Sequence, residues 1–138
     1  MDEQASTAKP GGPKEIPPED QRQEIEFLEG VRARLPTHSR VLESLGLLYN
    51  QVGRHVESLE VDRQLVRLQP ESSVVWYNLA CSLSQTGQLD EAFSALEKAI
   101  DLGGVDSEWM NQDDDLAPMR EDLRFYGLMA RLEGREKA

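Results

Sequence analysis

The sequence predicts an all-α fold made of antiparallel helical hairpins stacked into a short array. Two observations carry this. The chain matches itself at a spacing of 34 residues: Leu42-Glu43-Ser44-Leu45-Gly46-Leu47-Leu48-Tyr49 lines up with Trp76-Tyr77-Asn78-Leu79-Ala80-Cys81-Ser82-Leu83. Gly53 then falls on Gly87, Ser58 on Ala92 and Leu65 on Ala99, with Pro36, Pro70 and Gly104 one period apart. A fixed period of about 34 residues marks a helical repeat. Within each unit the apolar residues recur at three- or four-residue steps, the period of a helix with one buried face.

Each element follows in order. Residues 1–18 are rich in Pro, Gly, Lys and Glu, with Ile16 the one large aliphatic after Met1. Such a segment buries too little apolar surface to offset chain entropy and is expected to be a disordered tail. The remainder, 19–138, reads as one repeat domain: a half-unit helix (19–36), two repeats (39–72 and 73–106) and a closing unit (107–138). Pro17 and Pro18 suit a helix entrance, with Asp20 as a candidate N-cap. Ile25, Leu28, Val31 and Leu35 form its apolar stripe, widened by Phe27, and Pro36 ends it.

Ser39–Gln51 is the next predicted helix, with Val41, Leu42, Leu45, Leu48 and Tyr49 apolar; Gly53 breaks it. His55–Leu68 pairs with it through Leu59, Leu65, Val66 and Leu68, and Pro70 closes the unit. The pattern repeats as Ser73–Thr86, a break at Gly87, and Leu89–Leu102, stopped by Gly103-Gly104. Beyond that the period decays. A short helix over Val105–Gln112 is expected. Pro118 suits a helix start, and a last helix over Asp122–Glu133 carries Leu123, Phe125, Tyr126, Leu128, Met129 and Leu132 as a lid. Trp109 and Met110 are expected to cover the end of the array.

Composition narrows the function. The 138 residues carry a formal charge of −11. Nucleic acid needs Lys and Arg to displace counterions, and anionic membrane surfaces attract basic segments, so neither is an expected partner. The acidic start lacks the apolar run of a signal peptide, and no stretch approaches the ~20 apolar residues of a membrane span. Cys81 is the one cysteine and has no internal disulfide partner. A cytoplasmic setting is the default expectation.

The repeat resembles the tetratricopeptide repeat (TPR) family. The family motif places a large apolar residue, Leu, a small residue and an aromatic on the first helix, small Ala positions on the second, and a closing Pro. Leu42, Leu45, Gly46, Tyr49, Gly53 and Pro70 supply it in one unit; Trp76, Leu79, Ala80, Gly87, Ala92 and Ala99 supply it in the next. Ser58, Asp62, Leu83 and Gly104 depart from it. The resemblance implies a right-handed superhelix with a concave groove and a C-terminal capping helix. Gly46 and Ala80 are expected where helices cross closely. The end of the chain (Asp113–Leu116, Pro118, Met119, Arg120, Asp122, Arg124, Phe125) resembles the degenerate closing unit of some bacterial arrays. That implies a bacterial source and a complete C-terminus.

By the same resemblance the groove is lined by Arg40, Glu43, Ser44, Leu47, Asn50 and Gln51 from one unit and Tyr77, Asn78, Cys81, Ser84 and Gln85 from the next. The implied function is a protein-interaction adaptor or scaffold that holds a peptide segment or partner surface, with Tyr77 as anchor. The alternative is a self-associating subunit packing through its N-terminal half-unit. Glu43 and Leu47 stand where a carboxylate clamp would place a cation and an Asn, so a C-terminal carboxylate is not the expected ligand. The expected partner is a protein or peptide, a basic one included, and the expected state is a monomer or weak homodimer.

No enzyme activity, cofactor or metal is expected. No phosphate loop, nucleophile elbow or zinc-protease motif is present. His38 and His55 lack companions at zinc-ligand spacing, and no His is placed to activate Cys81. The acidic cluster Asp106, Glu108, Asp113, Asp114 and Asp115 does not fit a calcium loop. It reads as solvated surface with helix caps.

Overall fold

The computed structural model describes residues 18–137; the expected tail lies almost wholly outside them. Seven α-helices and one 3-10 helix make up the described chain: α1 (Pro18–Arg34), α2 (Ser39–Gln51), α3 (His55–Leu68), α4 (Ser73–Gln85), α5 (Leu89–Leu102), α6 (Ser107–Gln112), the 3-10 helix (Asp114–Met119) and α7 (Leu123–Lys137). The fold is all-α, and each helix from α1 to α4 packs on the next along the chain. Several predicted boundaries move: α4 ends at Gln85, α6 starts at Ser107 and not Val105, and Pro118 lies near the end of the 3-10 helix and not at a helix start. Asp20 lies inside α1, which starts at Pro18, and α7 runs a full turn past Glu133.

The two hairpin turns are built alike. Gly53 and Gly87 have φ of 84° and 79°, the left-handed region a side chain would strain. The residue after each glycine donates back to the preceding helix, Arg54 N–H to Tyr49 O at 2.7 Å and Gln88 N–H to Leu83 O at 2.9 Å. This satisfies carbonyls that the helix end would leave bare. Ser72 Oγ caps α4 by accepting from Val75 N–H at 3.4 Å.

Apolar burial forms two clusters. One joins Ile25 to α2 and α3 through Leu42, Leu45, Val61 and Leu65. The other joins α4 and α5 to Met110, Leu116, Met119, Phe125 and Leu132 of the closing unit. Val66 and Trp76 pack against both clusters, so the array has one continuous interior. Met110 is fully buried and Trp109 packs beside it, as expected for residues that close the array.

Five residues of the predicted apolar stripes are exposed: Leu35 and Leu68, just past or at a helix end, and three within the first and last helices. Phe27 is 66% exposed on α1, and Leu123 and Tyr126 on α7 are 84% and 62% exposed. Both helices are terminal. α1 has α2 as its main neighbour, and α7 rests on α5 and α6. Each therefore carries more apolar residues than it has buried positions. Polar contacts hold α7 in place: Arg131 reaches Glu97 at 3.1 Å and Asp101 at 2.6 Å, and Arg135 donates to Ile100 O at 2.6 Å.

Candidate groove on the face of α2 and α4

Two kinds of polar cluster flank α4. The first is buried and structural. Ser82 Oγ donates to Asp62 Oδ2 at 2.6 Å, Ser58 Oγ donates to Gly46 O at 3.0 Å, and the two hydroxyls lie 3.0 Å apart. Ser58, Asp62 and Ser82 are each no more than 4% exposed. A Cβ on Gly46 would come within 3.0 Å of Asp62 Oδ1. The departures from the repeat pattern at Ser58 and Asp62 are thus one device. Gly46 leaves room for a buried carboxylate, and Ser82 of the next unit satisfies it. Pairing of this kind is what keeps a buried polar group from destabilising the fold.

The second cluster is on the groove side. Tyr77 O–H donates to Asp113 Oδ2 at 2.8 Å, and Cys81 Sγ lies 3.8 Å from the same oxygen. Asp115 accepts from Asn50 Nδ2 at 2.9 Å and from Gln85 Nε2 at 3.2 Å. Asn50 Oδ1 in turn meets His55 Nδ1 at 2.9 Å. Four of the groove residues expected from the sequence are therefore brought together by the start of the 3-10 helix. Tyr77, Cys81 and Ser84 are buried; Glu43, Ser44, Leu47, Asn50, Asn78 and Gln85 are half-buried; Arg40 and Gln51 are exposed.

The acidic run is only partly the solvated surface that the sequence suggested. Asp106 and Asp113 do cap, accepting from Glu108 N–H at 2.9 Å and Asp115 N–H at 3.0 Å. Asp113, however, is 6% exposed and faces Tyr77. Its contact with α4 arises because Arg120 draws the turn inward, donating to Asp113 O at 2.6 Å and Met110 O at 3.3 Å. Burial, then the nearby Cys81 and Asp113, push the Tyr77 hydroxyl far above its ordinary pKa. Cys81, Asp113 and Asp115 bring donor atoms within 4.8 Å of one another. Tyr77, Asn50 and Gln85 donate hydrogen bonds to these two carboxylates.

Beside this cluster a half-open pocket of about 180 Å³ is lined by Val74, Tyr77, Asn78, Val105, Asp106 and Trp109, among others. Gly104 closes its edge. With φ of 88° and a Cβ position 2.8 Å from Ser73 Oγ, this site admits no side chain without strain. Sequence reasoning placed Tyr77 and Asn78 in the groove but missed Val74 and Val105 as its apolar wall. Their one signal was an aliphatic near each end of the 73–106 unit.

Residues 74–102 match the tetratricopeptide repeat family. The chain is 32% identical over 91 residues to a chloroplastic protein from Arabidopsis thaliana, a match over 64% of this chain and 27% of that protein. It thus spans about a quarter of the curated relative's length. Among solved structures, MamA 41-end from Desulfovibrio magneticus RS-1 superposes with a TM-score of 0.64 at 18% identity, covering 86% of this chain and 70% of that one. The MamA RS-1 ArsTM double mutant gives 0.63 at 18%, covering 85% and 68%. At that identity the likeness speaks for the fold. No helix among the described residues is long and apolar enough to cross a membrane. Residues 74–102 thus match a tetratricopeptide repeat, and the chain has a helical-repeat fold like that of the MamA structures.

Proposed function

We propose that this chain is a protein-interaction adaptor that holds a segment of a partner protein along the α2–α4 face. The observation that carries the reading is the half-open apolar pocket of about 180 Å³ between α4 and α6, whose lining residue Asn78 also borders a small hollow beside the half-buried Leu47 and Asn50. Val74, 49% exposed at its edge, offers apolar area that no element among the described residues covers fully. Asp106 on the rim and Glu43 along α2 favour a segment that pairs an apolar side chain with a cation. A pre-formed groove of this kind binds without a large ordering cost. Asn78, with an amide that can donate and accept, is placed to hold the segment's backbone.

The test is a photo-reactive phenylalanine at position 78, irradiated in native extract. The adaptor reading expects a defined partner adduct that Val74→Asp removes. An adduct of equal yield in the Val74→Asp protein overturns it.

A second reading is self-association, and Phe27 supports it: α1 leaves this ring 66% exposed, with Leu35 at 48%. Light scattering across a concentration series expects a wild-type dimer that Phe27→Asp dissociates. A strict monomer at high concentration removes this reading.

A further inference from the structure

We propose that the outer cleft between α3 and α5 is a second docking surface, which takes an acidic segment of a partner protein bearing a bulky apolar side chain. The cleft is a shallow, open one with a volume of about 420 Å³, in the size range of ligand-binding clefts. Its floor is apolar: Trp76, Leu79 and Leu83 of α4, with Val66 and Ala95 at the sides. On the helical period these α4 residues lie on a different face from Tyr77 and Cys81, so the cleft is separate from the groove.

The rim is cationic. Arg63, Arg67 and Lys98 border the cleft with Glu91 as the one carboxylate. Glu91 is already engaged by Arg63, with both oxygens in contact at 3.1 and 3.2 Å. Among the described residues no carboxylate pairs with Arg67 or Lys98, and both side chains are exposed. A net positive cleft on a chain of charge −11 is a local reversal of sign. Trp76 Nε1 donates to Pro70 O at 2.8 Å, which satisfies the indole N–H and leaves the ring as apolar floor. An aromatic floor beside Arg is the composition that concentrates binding energy at interfaces.

Charge and shape choose the occupant. An apolar floor calls for an apolar side chain, and the two unpaired cations call for carboxylates beside it. Nucleic acid and anionic bilayers present extended negative surfaces, and both would meet the repulsion of the remaining acidic protein. A short acidic segment meets the cleft alone.

The probe is a synthetic peptide with one Phe flanked by two Asp on each side, titrated into the full-length nitrogen-15-labelled chain at low salt. The proposal expects amide shifts at Val66, Leu83, Ser94 and Lys98. It expects about a tenfold loss of affinity in Arg67→Glu/Lys98→Glu, a loss of about 1.4 kcal/mol, and a similar loss when the peptide's Phe is replaced by Ser. Val74→Asp, in the groove, should leave the affinity unchanged. Circular dichroism confirms that the charge-reversed chain folds, both positions being exposed. The proposal is overturned by any of four results: no cleft shifts at millimolar peptide, equal binding by the charge-reversed chain, equal binding of a peptide with Lys in place of Asp, or tighter binding to phosphatidylserine vesicles than to the peptide.

Discussion

Asp62 in α3 and Leu96 in α5 occupy the same step of the repeat, 34 residues apart, and both are buried, at 4% and 0% exposure. The first hairpin fills that step with a carboxylate and the second with an aliphatic side chain. What differs is the next element. Behind α3 comes α4, whose Ser82 donates to Asp62, and Gly46 leaves the space. Leu96 shares its interior with Met110, Leu116 and Met119 of the closing unit, none of which can satisfy a carboxylate. One register therefore accepts opposite chemistries, and the neighbouring unit decides which.

Exchanging the two chemistries breaks the comparison most directly. Leu96→Asp should bury a charge without a donor and cost about 3–5 kcal/mol, the range for an uncompensated buried ion. Asp62→Leu should cost less, about 1–3 kcal/mol, because it overfills the space beside Gly46. Urea denaturation of both variants checks the order; equal costs would mean that the two sites do not differ as described.

Asp113→Ala asks whether the closing unit holds α4 by polarity as well as by apolar contact. It leaves the buried Tyr77 hydroxyl without its acceptor and should cost about 1–3 kcal/mol, read as a lowered denaturation midpoint. Tyr49 offers a parallel in the first hairpin. Burial and a hydrogen bond to Glu29 push its pKa up to about 12. A tyrosine whose folded pKa is raised keeps its proton while the unfolded chain loses it near 10, so its contribution is full below pH 10 and lost as pH rises towards 12. Alkaline titration followed by tyrosinate absorbance and circular dichroism should show Tyr49 and Tyr77 ionising together with loss of helix. Ionisation of both in an intact fold near pH 10 would contradict the burial of both hydroxyls.

The smallest effect belongs to the exposed pairs between α5 and α7. Arg131 and its partners Glu97 and Asp101 are each more than a third exposed. Arg131→Ala should change stability by no more than about 1 kcal/mol, and moderate salt should remove most of that difference in thermal melts.

The hairpins were legible in the sequence because two copies of a period reinforce each other. The bounds of α2, α3 and α5 and the burial of Val41, Leu42, Leu45, Leu48, Tyr49 and Leu65 follow from apolar spacing and from Gly53, Gly87 and Pro70. The ends were less legible. Phe27, Leu123 and Tyr126 carry the helical period but face solvent, since periodicity marks a stripe and only a neighbour turns it into a core. The groove was half legible. Its lining came from the register of α2 and α4, but the acidic turn that meets it has no period. Asp113 reaches Tyr77 through a one-off loop steered by Arg120. Asp62 stood out in sequence as a departure, yet its partner Ser82 matches Leu48 in the self-alignment and carries no mark of its role.

Asp115 has one more consequence. It bonds Asn50 of α2 and Gln85 of α4 at once, although 65 residues separate it from the first. A repeat array ordinarily behaves as a one-dimensional chain in which each unit senses only the adjacent ones. A side chain that spans two units from the far end adds a term between non-adjacent members. Unfolding then loses its freedom to fray from one terminus. Damage at the C-terminal end should speed amide exchange in α2, and the spacing of the two hairpins becomes a property set by the last segment of the chain.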